Sequence, residues 1–145
     1  MHQAMVRMDG EKMSKSLGNL VFVSDLSLTW DPRAIRLACL SHHYRSSWEW
    51  HDSLMSQATT RLLAWVAAGS ASAANSPSAH PAPPALDQVR TALDQVRTAL
   101  DADLDTPAAL LAIDVAAAAG EDVQQAAQLL GVDLTRPVLL TGDPV

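Results

Sequence analysis

Residues 2–19 read HQAMVRMDGEKMSKSLGN. Within them, QAMVRM at 3–8 has the short, imperfectly alternating pattern of a strand, and Asp9-Gly10 is a turn-forming pair. Lys12 and Lys15 follow three apart, with Ser14 between them, Ser16 beside them and Gly18-Asn19 behind. Gly10 and Gly18 permit a tight backbone path. Lysines place point charges on flexible stems, and the serine hydroxyls add donors. These parts suit a phosphate-rich group. Two lysines alone read by default as a solvated turn, since a short motif needs context. The stretch is not a Walker A loop, because GxxxxGK[ST] is absent. LVFV at 20–23 reads as a second extended piece. Strands this short are marginal alone, so residues 1–30 are expected to be the incomplete α/β edge of a larger sheet.

Outward from that edge the pattern turns helical. Asp31-Pro32 is a cap-plus-proline helix start, and a helix over about 32–41 would carry Ile35, Leu37, Ala38, Cys39 and Leu40. The polar and aromatic stretch SHHYRSSWEW leads to a second helix over about 49–68, with Leu54, Ala58, Leu62 and Trp65 on one face and Gly69 as its stop. Residues 31–68 are thus a connecting helical region. GSASAANSPSAHPAPP at 69–84 reads as a disordered linker. A direct repeat, ALDQVRT-ALDQVRT, then sets Leu86, Val89, Leu93, Val96 and Leu100 on a heptad-like stripe, a helix of about 85–101 packed on a partner. Thr106-Pro107 opens a helix to about 119, which Gly120 breaks. EDVQQAAQLL at 121–130 forms the last helix, ending at Gly131. Residues 85–134 complete a helical bundle, and 135–145 read as an irregular tail. The expected fold class is mainly α.

Charge is uneven along the 145 residues. The net charge is −6, yet Lys and Arg slightly outnumber Asp and Glu before residue 51 and are far outnumbered after it. That argues against a long nucleic-acid stripe in the second half and puts any polyanion contact near the lysine pair. Cys39 is the only cysteine, so no internal disulfide forms and an intracellular, cytoplasmic setting is expected. The N-terminus lacks a signal-peptide pattern, and no apolar run is long enough to span a membrane.

KMSKS at 12–16, within HQAMVRMDGEKMSKSLGN, resembles the second signature of class I aminoacyl-tRNA synthetases, in the wording of the cysteine-activating branch. DPRAIRLACLSHHYRSSWEW at 31–50, ALDADLDTPAALLAI at 99–113 and LLGVDL at 129–134 resemble later parts of that branch. The resemblance covers nearly all of the chain except the linker. It implies a Rossmann-like class I catalytic domain, of which residues 1–30 would be the remnant, followed by the family's helical bundle. Two relatives share the wording: cysteinyl-tRNA synthetases and the mycothiol-pathway cysteine ligases. MVRMDGEKMSKSLGNLVFVS at 5–24 is more similar to the ligases, and so is a chain that stops just after LLGVDL instead of continuing into an anticodon-binding domain.

The resemblance implies an ATP-dependent enzyme with two steps. Cysteine and ATP give cysteinyl-adenylate and diphosphate. The amine of glucosaminyl-inositol then takes the cysteinyl group and AMP departs; cysteine tRNA would be the acceptor under the alternative. Lys12 and Lys15 would engage the ATP phosphates, Lys15 foremost. Met13, Ser14 and Ser16 would line the nucleotide, Gly18 and Asn19 would shape the loop's exit, and His2 would lie toward the adenine.

The family's HIGH-like motif and its Cys/Cys/His/Glu zinc ligands lie upstream in full-length members and have no counterpart here. The chain is therefore expected to be a C-terminal piece, inactive alone, that needs a complementary N-terminal catalytic part. Cys39, His42, His43 and His51 raise a zinc alternative, but a buried thiol beside polar surface is the simpler expectation. Arg36 and Arg45 are expected in surface ion pairs, Trp48 and Trp50 in packing, and Asp101, Asp103 and Asp105 as solvated acids. A non-catalytic helical interaction module, pairing through the 86–100 stripe, is a further alternative.

Overall fold

The computed structural model describes residues 2–74 and 83–139, with side chains described outside 71–90. In chain order its elements are β1 (Val6–Met8), β2 (Glu11–Lys12), α1 (Val23–Thr29), α2 (Pro32–Leu40), β3 (Trp48–Glu49), α3 (Ser53–Ala74), α4 (Pro83–Asp101), α5 (Thr106–Ala118) and α6 (Gln124–Leu129). The mainly helical class with a small sheet in front matches the expectation from sequence.

Asp9 and Gly10 both have positive φ, 53° and 79°. This is the mirror-image turn that matches strand twist, so β1 and β2 form a two-residue hairpin, with Met8 opposite Glu11 and Arg7 opposite Lys12. β3 adds in parallel on the other side of β1, pairing Val6 with Trp48 and Arg7 with Glu49. The sequence pattern places Trp48 in the polar and aromatic connection and starts a helix at about residue 49, so this strand replaces the expected helix start. The expected extended piece at 20–23 is not there. Phe22 is the extended N-cap of α1, its carbonyl accepts from the Asp25 and Leu26 N–H groups, and Val23 is already helical. Asp25 in the first turn favours that helix start.

α2 begins as expected at Pro32. The Asp31 carboxylate accepts from the Arg33 N–H at 2.9 Å, satisfying a free donor of the first turn. Ala34, Ile35, Leu37 and Ala38 are buried, whereas Arg36 and Cys39 lie on the exposed face. Cys39 is therefore not the buried thiol expected from its apolar neighbours. The 3.6-residue period turns it away from Leu37 and Ala38.

α3 starts later than expected, because β3 claims 48–49, and it runs through Gly69 to Ala74. A glycine inside a helix costs only about 1 kcal/mol, which tertiary packing overrides. The expected 69–84 linker is thus helical at 69–74 and 83–84, and its middle lies outside the described residues. α5 is capped by Asp105, which accepts from the Ala108 N–H at 3.1 Å; Thr106 is its first helical residue rather than its cap. α6 is shorter than expected. Gly131, at φ 73°, ends it with the paired bonds Val132 N–H to Ala127 O and Gly131 N–H to Gln128 O, the Schellman arrangement.

The core lies among the helices. α2 packs on α3, α3 on α5, and α5 on α4, which also meets α6. Trp65, Leu37, Leu62, Leu110, Ile113, Val96, Val123 and Val132 are its largest fully buried side chains. Ala58, Leu62 and Trp65 are buried as the sequence pattern required, and Leu54 is half-buried. Of the stripe, Val96 is buried and Leu93 and Leu100 are half-buried against the core. That part of the stripe is spent inside the chain, not left for an outside helix. No helix among the described residues is long and apolar enough to cross a membrane.

One polar cluster closes the bundle. Arg33 uses all five guanidinium N–H groups: two toward Asp31, and three toward the carbonyls of Asp133, Arg136 and Pro137 at 2.6–2.9 Å. Asp31 also accepts from the Leu139 N–H at 3.0 Å. Burial pushes the Asp31 carboxyl up. The Arg33 guanidinium, the Leu139 and Arg33 N–H groups and the arginine charge outweigh it, holding the group at about 2 against an ordinary 3.8. A carboxyl held low stabilises the fold above its unfolded-state value, and that stability drains away as pH falls from 3.8 toward 2. Urea unfolding followed against pH should show this acid-side decline in the wild type. Asp31→Asn should flatten it and, through loss of the charged cap and partner, cost about 2–4 kcal/mol at neutral pH.

Candidate functional site

The hairpin delivers Lys12 to the end of β2, and the chain then loops through 13–19. Asn19 closes the loop's neck. Its side-chain oxygen accepts from the Ser14 N–H at 2.9 Å, and its amide nitrogen donates to Lys12 O at 3.4 Å. Above the neck, the Ser14 and Ser16 hydroxyls are 3.1 Å apart and Ser14 Oγ accepts from the Leu17 N–H. Gly18, at φ 67°, turns the chain back, with its N–H on Lys15 O at 3.3 Å.

Lys12, Lys15 and Ser16 are exposed, and neither lysine joins an ion pair among the described residues. Met13 is different. Its N–H bonds to Val6 O at 3.1 Å, and its side chain is half-buried against the bundle core. The five candidate residues thus form one small basic rim. Met13 roots it, and the two ammonium groups face solvent.

Glu49 was not foreseen. Its carboxylate accepts from the Gly10 N–H at 2.6 Å, so β3 caps the hairpin turn that leads into Lys12. The two residues are 39 apart in sequence, and nothing local marks the pairing.

The remaining candidates have structural employment. His42 stacks on Trp48 with ring centres 4.1 Å apart and an interplanar angle of 9°, and its Nδ1 lies 3.3 Å from Ala38 O. Trp50 is buried. Arg45 pairs with Asp103 at 2.6 Å, the surface ion pair expected of it. Asp103 and Asp105 are not merely solvated, since the first holds Arg45 and the second caps α5. Arg36 lies over Gly131, its guanidinium within 3.2 Å of the place a β-carbon would occupy. Among the described residues, no three His, Cys, Asp or Glu side chains come together to hold a metal ion. The zinc implied by the family resemblance therefore does not fit the residues described here. A cavity of about 750 Å³ beside α3 and α5 is lined by Ser41, Arg61, Trp65 and Asp114, among others, but by no residue of the lysine loop. Its charged groups already serve one another: Arg61 pairs with Asp114 at 3.1 Å and donates to Ser41, and the Trp65 indole donates to Asp114 at 2.8 Å.

Apolar side chains stand exposed around the loop. Met5, Leu17, Phe22, Val23 and Leu28 are all about half exposed or more, Leu28 reaching 78%, and α1 buries no residue. The edge with the lysine loop is thus the part of the molecule that lacks a core of its own.

A hairpin with a lysine loop on a small sheet edge, run into a helical bundle, is consistent with a partial class I synthetase domain. Residues 1–60 match the family described as tRNA synthetases class I (C) catalytic domain. More particularly, the chain is homologous to a C-terminal part of proteins named L-cysteine:1D-myo-inositol 2-amino-2-deoxy-alpha-D-glucopyranoside ligase. It is 50% identical over 114 residues to the Streptomyces avermitilis ligase, covering 78% of this chain and 25% of that protein. Against the Clavibacter michiganensis subsp. michiganensis ligase it is 46% identical over 142 residues, covering 94% and 32%. Against the Nocardiopsis dassonvillei ligase the figures are 51% over 115 residues, 79% and 25%. The chain thus spans about a quarter to a third of the length of the curated relatives it matches.

Asn19→Ala should open the neck, removing one side chain that bonds both Lys12 O and the Ser14 N–H. Amide hydrogen exchange at residues 13–19 should rise several-fold while that of α3 stays unchanged. Unaltered exchange in the loop would show that Asn19 does not set its shape.

Proposed function

We propose that this chain supplies the ATP-clamping loop of a cysteine ligase. The reading rests above all on the exposed Lys12 and Lys15, without an ion-pair partner among the described residues and held on a necked loop at the rim of the hairpin. The homologous ligases support the amino acid and the acceptor.

In the first step an oxygen of the cysteine carboxylate bonds to the α-phosphorus of ATP as the bond from that phosphorus to diphosphate breaks. Negative charge grows on the departing diphosphate. Lys15, with Lys12, meets that charge most strongly in the transition state, which is where added binding accelerates a reaction. The Ser14 and Ser16 hydroxyls and the nearby backbone add hydrogen bonds to the phosphates. In the second step the glucosaminyl-inositol amine attacks the cysteinyl carbonyl, the carbon–oxygen bond to AMP breaks, and an amide remains. The lysine loop has no bond to make or break there. Its role is confined to adenylation and to release of diphosphate as the loop opens.

The other groups that adenylation needs come, in this proposal, from a complementary catalytic part. That part would seat on the apolar side chains exposed between Met5 and Leu28, where α1 has no core of its own. The chain alone is then inactive, and the complete enzyme works in the cytoplasm.

Diphosphate release from cysteine and ATP tests this directly, with the chain alone and with the complementary part supplied. No turnover is expected alone and turnover together. In the combined system Lys15→Ala should lower adenylation about 10²-fold, the scale for losing one transition-state electrostatic contact, with unfolding unchanged. Full activity of the folded variant removes Lys15 from this role. Offering glucosaminyl-inositol and cysteine tRNA in parallel separates the ligase from the tRNA-charging alternative.

A further inference from the structure

We propose that Asp103, in the turn between α4 and α5, is a positioning residue that locks the lysine hairpin to the helical bundle. Three consecutive residues of the connection between α2 and β3 converge on it. Arg45 grips both carboxylate oxygens, Nε to Oδ2 at 2.6 Å and Nη2 to Oδ1 at 2.9 Å. The Tyr44 hydroxyl donates to Oδ1 at 2.6 Å. His43 Nδ1 accepts from the Arg45 N–H at 3.2 Å, which leaves Nε2 of the neutral ring to donate to Asp103 O at 3.1 Å. The Arg45 guanidinium also lies 5.0 Å over the Tyr44 ring. An exposed ion pair standing alone contributes little, but a bidentate carboxylate shared by neighbouring donors is the exception.

The turn itself is held in an uncommon shape for this contact. Asp103 and Leu104 have φ of 57° and 55°, two left-handed residues in succession with no glycine among them. Such backbone persists only where the surroundings over-determine it. Here the Leu104 and Asp105 N–H groups bond back to Leu100 and Ala99 of α4, and the 43–45 clamp holds the Asp103 side chain and carbonyl.

From the clamp the connection to the loop is short. Tyr44 O accepts from the Ala4 N–H at 2.7 Å, just ahead of β1. Three residues after Arg45 the chain enters β3, which pairs with β1 and whose Glu49 caps the hairpin turn at Gly10. The sheet has strands of only three, two and two residues, too little to fix its own placement. The clamp supplies that placement from both sides of β1. Its catalytic meaning, where the bundle places Lys12 and Lys15, rests on the ATP-loop reading; the mechanical coupling does not.

Hydrogen exchange on the full chain tests it with Asp103→Gly, which keeps the left-handed turn unstrained, and with Arg45→Ala. Asp94→Ala, which breaks the exposed Arg97–Asp94 pair on α4, is the control. Both clamp variants should speed exchange across residues 4–13 by about tenfold, with α3 and α5 unchanged, no further gain in the double variant and no effect in the control. Unchanged hairpin exchange overturns the proposal. So does uniform acceleration through α3 and α5, which would mark general stability instead of positioning. With the complementary catalytic part, Arg45→Ala should lower the adenylation kcat while leaving KM for cysteine in place. Fast hairpin exchange with Lys15→Ala still fully active would keep the clamp and reject the ATP loop.

Discussion

The Arg33 guanidinium is the interaction on which the bundle closes. It spends every donor, two on the Asp31 carboxylate and three on carbonyls of residues 133–137, and Asp31 in turn takes the Leu139 N–H. A planar fork of fixed donors is what lets one side chain collect several backbone carbonyls at once, and lysine could not replace it. Burying such a pair is costly unless every lone pair and proton is matched. Here they are matched, and among the described residues no buried side-chain polar atom lacks a partner. The irregular chain after α6 thus becomes part of the fold.

Stability and function are divided along the molecule. The helices bury a continuous core from Leu37 and Trp65 to Val132, whereas α1 buries nothing and the sheet consists of three very short strands. The lysine loop sits on the poorly cored side. Under the proposed function the loop opens for ATP and closes on diphosphate, a motion drawn from the low-stability end of a structure, and its base must still be fixed. Hydrogen bonds from elsewhere do the fixing: Glu49 at the hairpin turn, Asn19 at the neck and Tyr44 O ahead of β1.

Local chemistry was legible in the sequence, and contacts between distant residues were not. Asp31-Pro32, Gly120 and Gly131 ended or began helices as read, because caps and positive φ are local demands. The apolar face of α3 was visible in its period. Phe22 and Val23 were misread, since an apolar run of four does not distinguish a strand from a helix start. Gly69 was taken as a stop because propensity is a weak prior that packing overrides. β3 was invisible because its partner lies some forty residues away and a two-residue strand has no period to detect. At the site, the lysine loop was legible and its exit through Gly18-Asn19 was foreseen. Glu49, Arg33 and Asp103 were not, for each acts on a group at least 39 residues away.

These distant contacts make residues 31–50 a strut. At one end Asp31 and Arg33 are bonded to the tail, and at the other 43–45 are bonded to Asp103. Between them Ser41 receives Arg61, and His42 stacks on Trp48. A segment pinned at both ends and along its length transmits position and does not bend. The hairpin seated on its far end is then carried by the bundle, and the freedom left to the lysines is confined to residues 13–19 beyond the Asn19 neck. Movement about that neck would swing Lys15 while Lys12, still in β2, stays with the sheet. The two lysines of one short motif thus differ in freedom: Lys12 is held with the sheet, and Lys15 rides on the loop.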